Sequence, residues 1–196
     1  MPEKIILASN NAGKLREIQA VLSVGRYQLI QQSEFDVSEV EEAGTTFVEN
    51  AIIKARHAAT LTGMPALADD SGIEVDALHG APGVYSARYA ENDADDGANN
   101  SKLLKELLHV PDANRTARFQ CVLVFMRHAK DPMPLICEGT WEGTILHEEK
   151  GLNGFGYDPL FYVPTHQCSS AELYPAEKNR ISHRAQALQK LIVALT

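Results

Sequence analysis

Cysteine, basic residues and long apolar runs are all scarce in this 196-residue chain, and each shortage closes off a class of protein. The three cysteines, Cys121, Cys137 and Cys168, are odd in number, far apart and without a C-x-x-C pair, so neither a disulfide scaffold nor a zinc site is expected. They read as reduced thiols of a cytoplasmic protein. Lys and Arg number 18 against 26 Asp and Glu. The formal charge of −8 repels polyanions and argues against a polymeric nucleic acid as partner. A phosphate ligand would need a local site, with metal help. The apolar stretch Ile5 to Ala8 is too short for the core of an export signal, and no run approaches the ~20 residues of a membrane span. The expectation is a soluble chain that meets no membrane.

What is present is ordinary for a globular protein: 44% hydrophobic and 22% charged residues, in a length that suits one large domain or two small lobes sharing a core. Repeats, low-complexity tracts and Gly/Ser linkers are absent, so residues 1–196 are taken as one domain.

Residues 4–8 (KIILA) suit a short buried strand, followed by a polar turn and by Leu15, Ile18, Val21 and Leu22 at helical spacing. This is an α/β opening. Thr46 with Glu49 three residues on forms a capping box for a second helix, whose buried face would carry Phe47, Ala51, Ala55 and Ala58 and which Gly63-Met64-Pro65 stops. Its other face holds Asn50, Lys54 and His57, and Lys54 with His57 is a pairing usually just solvated. Ala66 to Ala68 reads as a strand ending at Asp69-Asp70-Ser71-Gly72, with alternation resuming at Ile73 and Val75. Leu103, Leu104, Leu107 and Leu108 mark a third helix. Thr116–Met126 and Leu135–Ile145 suggest a long antiparallel hairpin, which excludes a purely parallel sheet. A last helix is expected from Ser182 as N-cap, with Ile181, Ala185, Leu188, Ile192 and Leu195 on its buried stripe.

Four clusters could carry chemistry. Ser9-Asn10-Asn11-Ala12-Gly13-Lys14 lies between strand and helix, where unpaired N–H groups and the helix dipole favour an anion and Lys14 adds charge. It is not a P-loop, because Leu15 stands where a Ser or Thr would hold magnesium. Asp69-Asp70 sits at the carboxyl end of a strand, where adjacent acids want a hard cation. Side chains alternate along a strand, so one of the two would face a site and the other bond locally. Glu39, Glu41 and Glu42 are further acids, and spacing does not choose among them. Gly154-Phe155-Gly156-Tyr157-Asp158 could place two aromatics about a flat ring, or pack them inward. In Glu177 to Arg184, His183 and Arg184 occupy the first turn of the last helix, where cations oppose the dipole; they would face an anion, or else point outward to solvent. Tyr85, Arg88 and Tyr89 suit a site rim, a loop packed on the sheet or a subunit contact.

Together, SNNAGK at 9–14, DDSG at 69–72, GFGYDP at 154–159 and EKNRISHR at 177–184 closely resemble the inosine triphosphate pyrophosphatase family, in order and over essentially the whole chain. The resemblance implies an elongated mixed α/β sheet with flanking helices and two lobes around a central cleft, a homodimer, and Mg²⁺-dependent hydrolysis of a nucleoside triphosphate of inosine or xanthosine to monophosphate and pyrophosphate. On matching positions, Ser9, Asn10, Asn11, Ala12, Gly13 and Lys14 would hold the triphosphate. Asp70 would be the catalytic and metal-linked carboxylate, with Glu41 as second metal ligand and Glu42 its less favoured neighbour, and Ser71 would touch substrate. Phe155, Gly156, Tyr157 and Asp158 would line the base and sugar pocket, while Lys178, His183 and Arg184 would meet base and phosphate. Many relatives have Thr-Gly-Asn where this chain has Ser9-Asn10-Asn11, and Asn tolerates positive φ better than most residues. Two other readings share these features: a regulatory module that binds nucleotide without turnover, which would hardly need the acidic set, and a phosphatase releasing orthophosphate.

Overall fold

The computed structural model describes residues 3–22, 27–91 and 94–195. In chain order the main elements are β1 (Glu3–Ala8), α1 (Ala12–Leu22), β2 (Tyr27–Gln31), α2 (Phe47–Thr62), β3 (Ala66–Val75), α3 (Asp96–Glu106), β4 (Thr116–Met126), β5 (Leu135–Ile145), β6 (Phe161–Val163), β7 (Cys168–Ser169), α4 (Pro175–Ile181) and α5 (His183–Leu195). The strands form one seven-stranded sheet in the order β2-β1-β3-β4-β5-β6-β7. It is mixed: β1 runs parallel to β2 and β3, whereas β5, β6 and β7 pair antiparallel. The expected mixed α/β architecture is what forms. The chain divides into two compact units, one of residues 1–70, 121–139 and 183–196, the other of residues 71–120 and 140–182.

In the first unit, strand alternation sorts side chains into two cores. Ile5, Leu7, Leu67, Cys121, Leu123 and Phe125 pack with Leu15 and Ile18 of α1 and Leu188 and Leu191 of α5. Their sequence neighbours Ile6, Ala8, Ala66, Ala68, Val122 and Val124 turn the other way and pack with Ala51, Ala55, Ala58 and Ala59 of α2. The small alanines give α2 its apolar stripe. Thr46 accepts the Glu49 N–H in the expected capping box, and Gly63, at φ +67°, ends the helix in the left-handed conformation.

In the second unit, Ile73, Val75, Leu103, Leu107, Ala117, Phe119, Trp141 and Phe161 build the core. The Phe119 and Trp141 rings lie 4.6 and 5.2 Å from that of Phe161. Gln120 bonds Thr140 and Arg118 bonds Glu142, so β4 and β5 run in opposite senses, as the hairpin pattern requires.

Three boundaries differ from the sequence reading. β3 does not stop at Asp69; it continues through Asp69-Asp70-Ser71-Gly72 to Val75, because both aspartates meet cations rather than needing water. α3 starts at Asp96, well before its leucines, with the Asp95 carboxylate accepting the Ala98 N–H. The last helical stretch is two helices: Pro175 opens α4, Ser182 breaks the chain at φ −67°, ψ 166°, and Ile181 belongs to α4.

Candidate active site

Consecutive β3 residues point to opposite faces of the sheet, and Asp69 and Asp70 follow that rule. Asp69 shares the face of Leu67 and meets α1 and α5: Lys14 Nζ lies 2.7 Å from Oδ1 and Arg184 Nε donates to Oδ2 at 3.1 Å. Arg184 also pairs with Glu17 of α1, and Cys121 Sγ lies 3.3 Å from the same Asp69 oxygen. Burial by itself would push Asp69 up, but the Arg184 guanidinium and the Lys14 and Lys54 ammoniums hold it well below the usual carboxylate range. Burial drives the Cys121 thiol in the other direction, well above its ordinary value, and the Asp69 charge adds to this.

Asp70 shares the face of Ala66 and Ala68 and meets α2. Lys54 donates to Oδ1 at 2.8 Å and the Asn50 amide to Oδ2 at 3.4 Å. Lys54 also pairs with Glu42 at 3.2 Å, so one ammonium serves two carboxylates. Burial pushes Asp70 above its ordinary value; Lys54 pulls it down and Glu42 pushes it up again. The Lys54 ammonium is itself favoured: burial works against it, and Asp70 and Glu42 outweigh that cost. The solvated-face reading of Lys54 and His57 therefore fails for Lys54, and Asn50 one turn earlier is buried. It also fails for the idea that one aspartate only bonds locally, since Asp69 and Asp70 each hold partners from distant segments. Among the acids of 39–42, the structure brings Glu42 and not Glu41 to the lysine shared with Asp70; exposure alternates along this extended stretch, and Glu41 faces solvent.

The 9–14 turn is built by its own side chains. Ser9 Oγ accepts the Asn11 N–H, and Asn11 Oδ1 accepts the Lys14 N–H, which makes Asn11 the cap of α1. Asn10 donates to Glu39 and accepts from Gln32, which ties the turn to the acidic segment. Ala12 and Gly13 occupy the first turn of α1, where N–H groups have no partner within the helix.

Residues of the second unit form a separate network. Gly154 and Gly156 take φ +79° and +60°. Asp158 is buried and accepts from Phe155 N at 2.9 Å, Ser170 Oγ at 2.8 Å and Lys178 Nζ at 2.5 Å. Lys178 Nζ also lies 4.8 Å from the centre of the Phe155 ring. Tyr157 is turned inward, its hydroxyl on the Ser86 carbonyl at 2.8 Å, so the two aromatics do not sandwich an open space; only Phe155 stays half-exposed. Gly156 N–H donates to Asp96 and its carbonyl accepts from Asn100, two α3 residues that no sequence pattern marked. Ser71 is half-buried within β3. Tyr85 is exposed beneath the Arg88 guanidinium, and Tyr89 pairs with Glu106.

His183 and Arg184 do begin α5, but both are buried. The anions that offset the helix dipole for Arg184 are Asp69 and Glu17, so the outward-cation alternative is wrong and the charge sits in a protein-built network. No cluster of three or more metal-ligating side chains occurs among the described residues. The pair Asp70 and Glu42 still fits a hard cation, since Mg²⁺ commonly takes one or two carboxylates and fills its shell with water and phosphate oxygens.

A profile of the Ham1 family matches residues 5–194. A Vibrio cholerae protein named dITP/XTP pyrophosphatase is 59% identical over 193 residues, covering 98% of this chain and 96% of its own. A Pseudomonas aeruginosa protein of the same name is 59% identical over 189 residues, 96% and 95% of the two chains. Among solved structures, a HAM1 protein from Coxiella burnetii superposes with a TM-score of 0.92 at 55% identity, over 98% of each chain. The Staphylococcus aureus Ham1 protein does so at 0.87 and 42%, again over 98% of each. Matches of this length bear out the resemblance drawn from the four motifs: the chain belongs to the Ham1 family.

Proposed function

We propose that this protein hydrolyses non-canonical purine nucleoside triphosphates, those of inosine and xanthosine in ribo and deoxy forms, to the monophosphate and pyrophosphate. The observation that carries this reading is the full-length identity to enzymes named dITP/XTP pyrophosphatase. We assign the work to residues 1–196 as a single catalytic domain in a cytoplasmic homodimer.

Attack at the α-phosphorus needs a positioned water, neutralised phosphate charge and a stabilised leaving group. Asp70 orients the water and takes its proton at a carboxylate oxygen; burial raises its basicity, which suits that task. Lys14 and the N–H groups of Ala12 and Gly13 hold phosphate oxygens at the start of α1, with Ser9, Asn10 and Asn11 shaping the turn. Mg²⁺, when bound by Asp70 and Glu42, supplies charge neutralisation on the triphosphate. Ser71 contacts substrate. Phe155 stacks on the base, and Gly156, Tyr157 and Asp158 hold that ring in place. Lys178 acts through Asp158 and Arg184 through Asp69, while His183 completes the recognition set. A 6-oxo purine accepts hydrogen bonds where adenine donates one, so N–H donors at that position reject ATP.

The test is purified protein with Mg²⁺ and ITP, XTP, GTP or ATP, scored for phosphate with and without added inorganic pyrophosphatase. ITP and XTP should give signal only with the coupling enzyme. Orthophosphate without it would show a phosphatase, and no turnover would show a binding module.

A further inference from the structure

Asn50 stands one helical turn before Lys54 on α2, on the same face. Its exposure is 0%, and its amide is engaged at both ends. Oδ1 accepts the Gly44 N–H at 2.9 Å, and Nδ2 donates to Asp70 Oδ2 at 3.4 Å. A backbone N–H can be received only by the amide oxygen, so Gly44 fixes which end of Asn50 faces Asp70. The second Asp70 oxygen is held by Lys54, so two donors from one face of α2 grip the carboxylate. Gly44 has no room for a side chain: a Cβ there would meet Asn50 Oδ1 and Glu49 Cβ, each at 2.6 Å. The same amide thus fastens the segment that carries Glu42, two residues before Gly44, to the strand that carries Asp70.

We infer that Asn50 is a positioning residue of the reaction: its amide sets the orientation of the Asp70 carboxylate and its spacing from Glu42. This rests on Asp70 being the catalytic carboxylate. Asn50 touches no part of the proposed phosphate or base contacts, so its loss acts on kcat rather than on KM.

The experiment is steady-state kinetics on ITP for Asn50→Ala, Asn50→Leu and Gly44→Ala, with a melting curve for each and Asp70→Asn alongside. Leu fills the volume of Asn without its hydrogen bonds, so it separates a lost amide from a cavity. Gly44→Ala leaves every side chain of the site chemically intact and crowds the Asn50 amide together with Glu49 Cβ. The expected result is a fall in kcat of about 10- to 100-fold, the usual cost of losing a group that orients a ligating side chain, with KM within about threefold. A folded variant that loses less than tenfold in kcat, or whose loss lies in KM, overturns the inference. If Asn50→Ala and Asn50→Leu do not fold, the same split in Gly44→Ala decides it. An Asp70→Asn enzyme that still turns over would sink the Asp70 reading itself; a dead Asp70→Asn beside a fully active Asn50→Leu would sink only the role of Asn50.

Discussion

Two adjacent aspartates, both buried, shift in opposite directions, and that contrast divides structural from chemical work at the residue scale. Asp69 has two close cations and is kept ionised; Asp70 shares one lysine with Glu42 and is pushed up by burial. A carboxylate whose folded pKa is lowered adds stability that is complete above its unfolded value of about 4 and is lost as pH falls below it. Asp69→Asn takes a carboxylate charge away from the buried Arg184 guanidinium and should cost about 3–5 kcal/mol, read from urea denaturation at neutral pH; the variant's stability should also vary less with pH below about 4 than the wild type's. Asp70 has the opposite sign: a raised folded pKa makes its charge a cost of folding near neutrality. Asp70→Asn should therefore abolish pyrophosphate release while leaving the melting temperature unchanged or higher. A marked drop in melting temperature would mean that Asp70 is there to hold α2.

At the scale of elements, the placement of α5 depends on the bareness of β5. A Cβ on Gly139 would lie 1.9 Å from the His183 carbonyl oxygen and 2.9 Å from the Ala187 nitrogen, so helix and strand touch backbone to backbone. Gly139→Ala must push the first turn of α5 away, carrying His183 and Arg184 with it. The expected outcome is a loss of at least about 1–3 kcal/mol in thermal unfolding, with reduced activity on ITP in whatever remains folded. Thr46→Ala gives a milder contrast. It removes the cap from α2, the helix that presents Asn50 and Lys54, at about 1 kcal/mol, and activity measured well below the melting temperature should survive.

At the scale of the whole molecule, a chain with a formal charge of −8 has to draw a polyphosphate against its own field, and in the proposed mechanism a few local cations with a metal do it. Chelation with EDTA should stop turnover and added Mg²⁺ restore it, with little change in melting temperature, since the apolar cores hold the fold without metal. Much of this was readable in advance. Patterns of period two and 3.6, the Thr46 box and the Thr116–Ile145 hairpin are local, and local spacing settles which face of an element is apolar. Several misreadings were decided at long range. β3 runs through its aspartates because cations from α1, α2 and α5 meet them; Tyr157 turns in because the Ser86 carbonyl lies within reach of its hydroxyl. Glu42 rather than Glu41, and Asn50 at all, emerge only when α2 is laid against β3. Sequence by itself determined the elements, their apolar faces and the residue types available for phosphate chemistry. Tertiary structure alone decided which charges pair, because a buried charge takes its energy from neighbours distant in the chain.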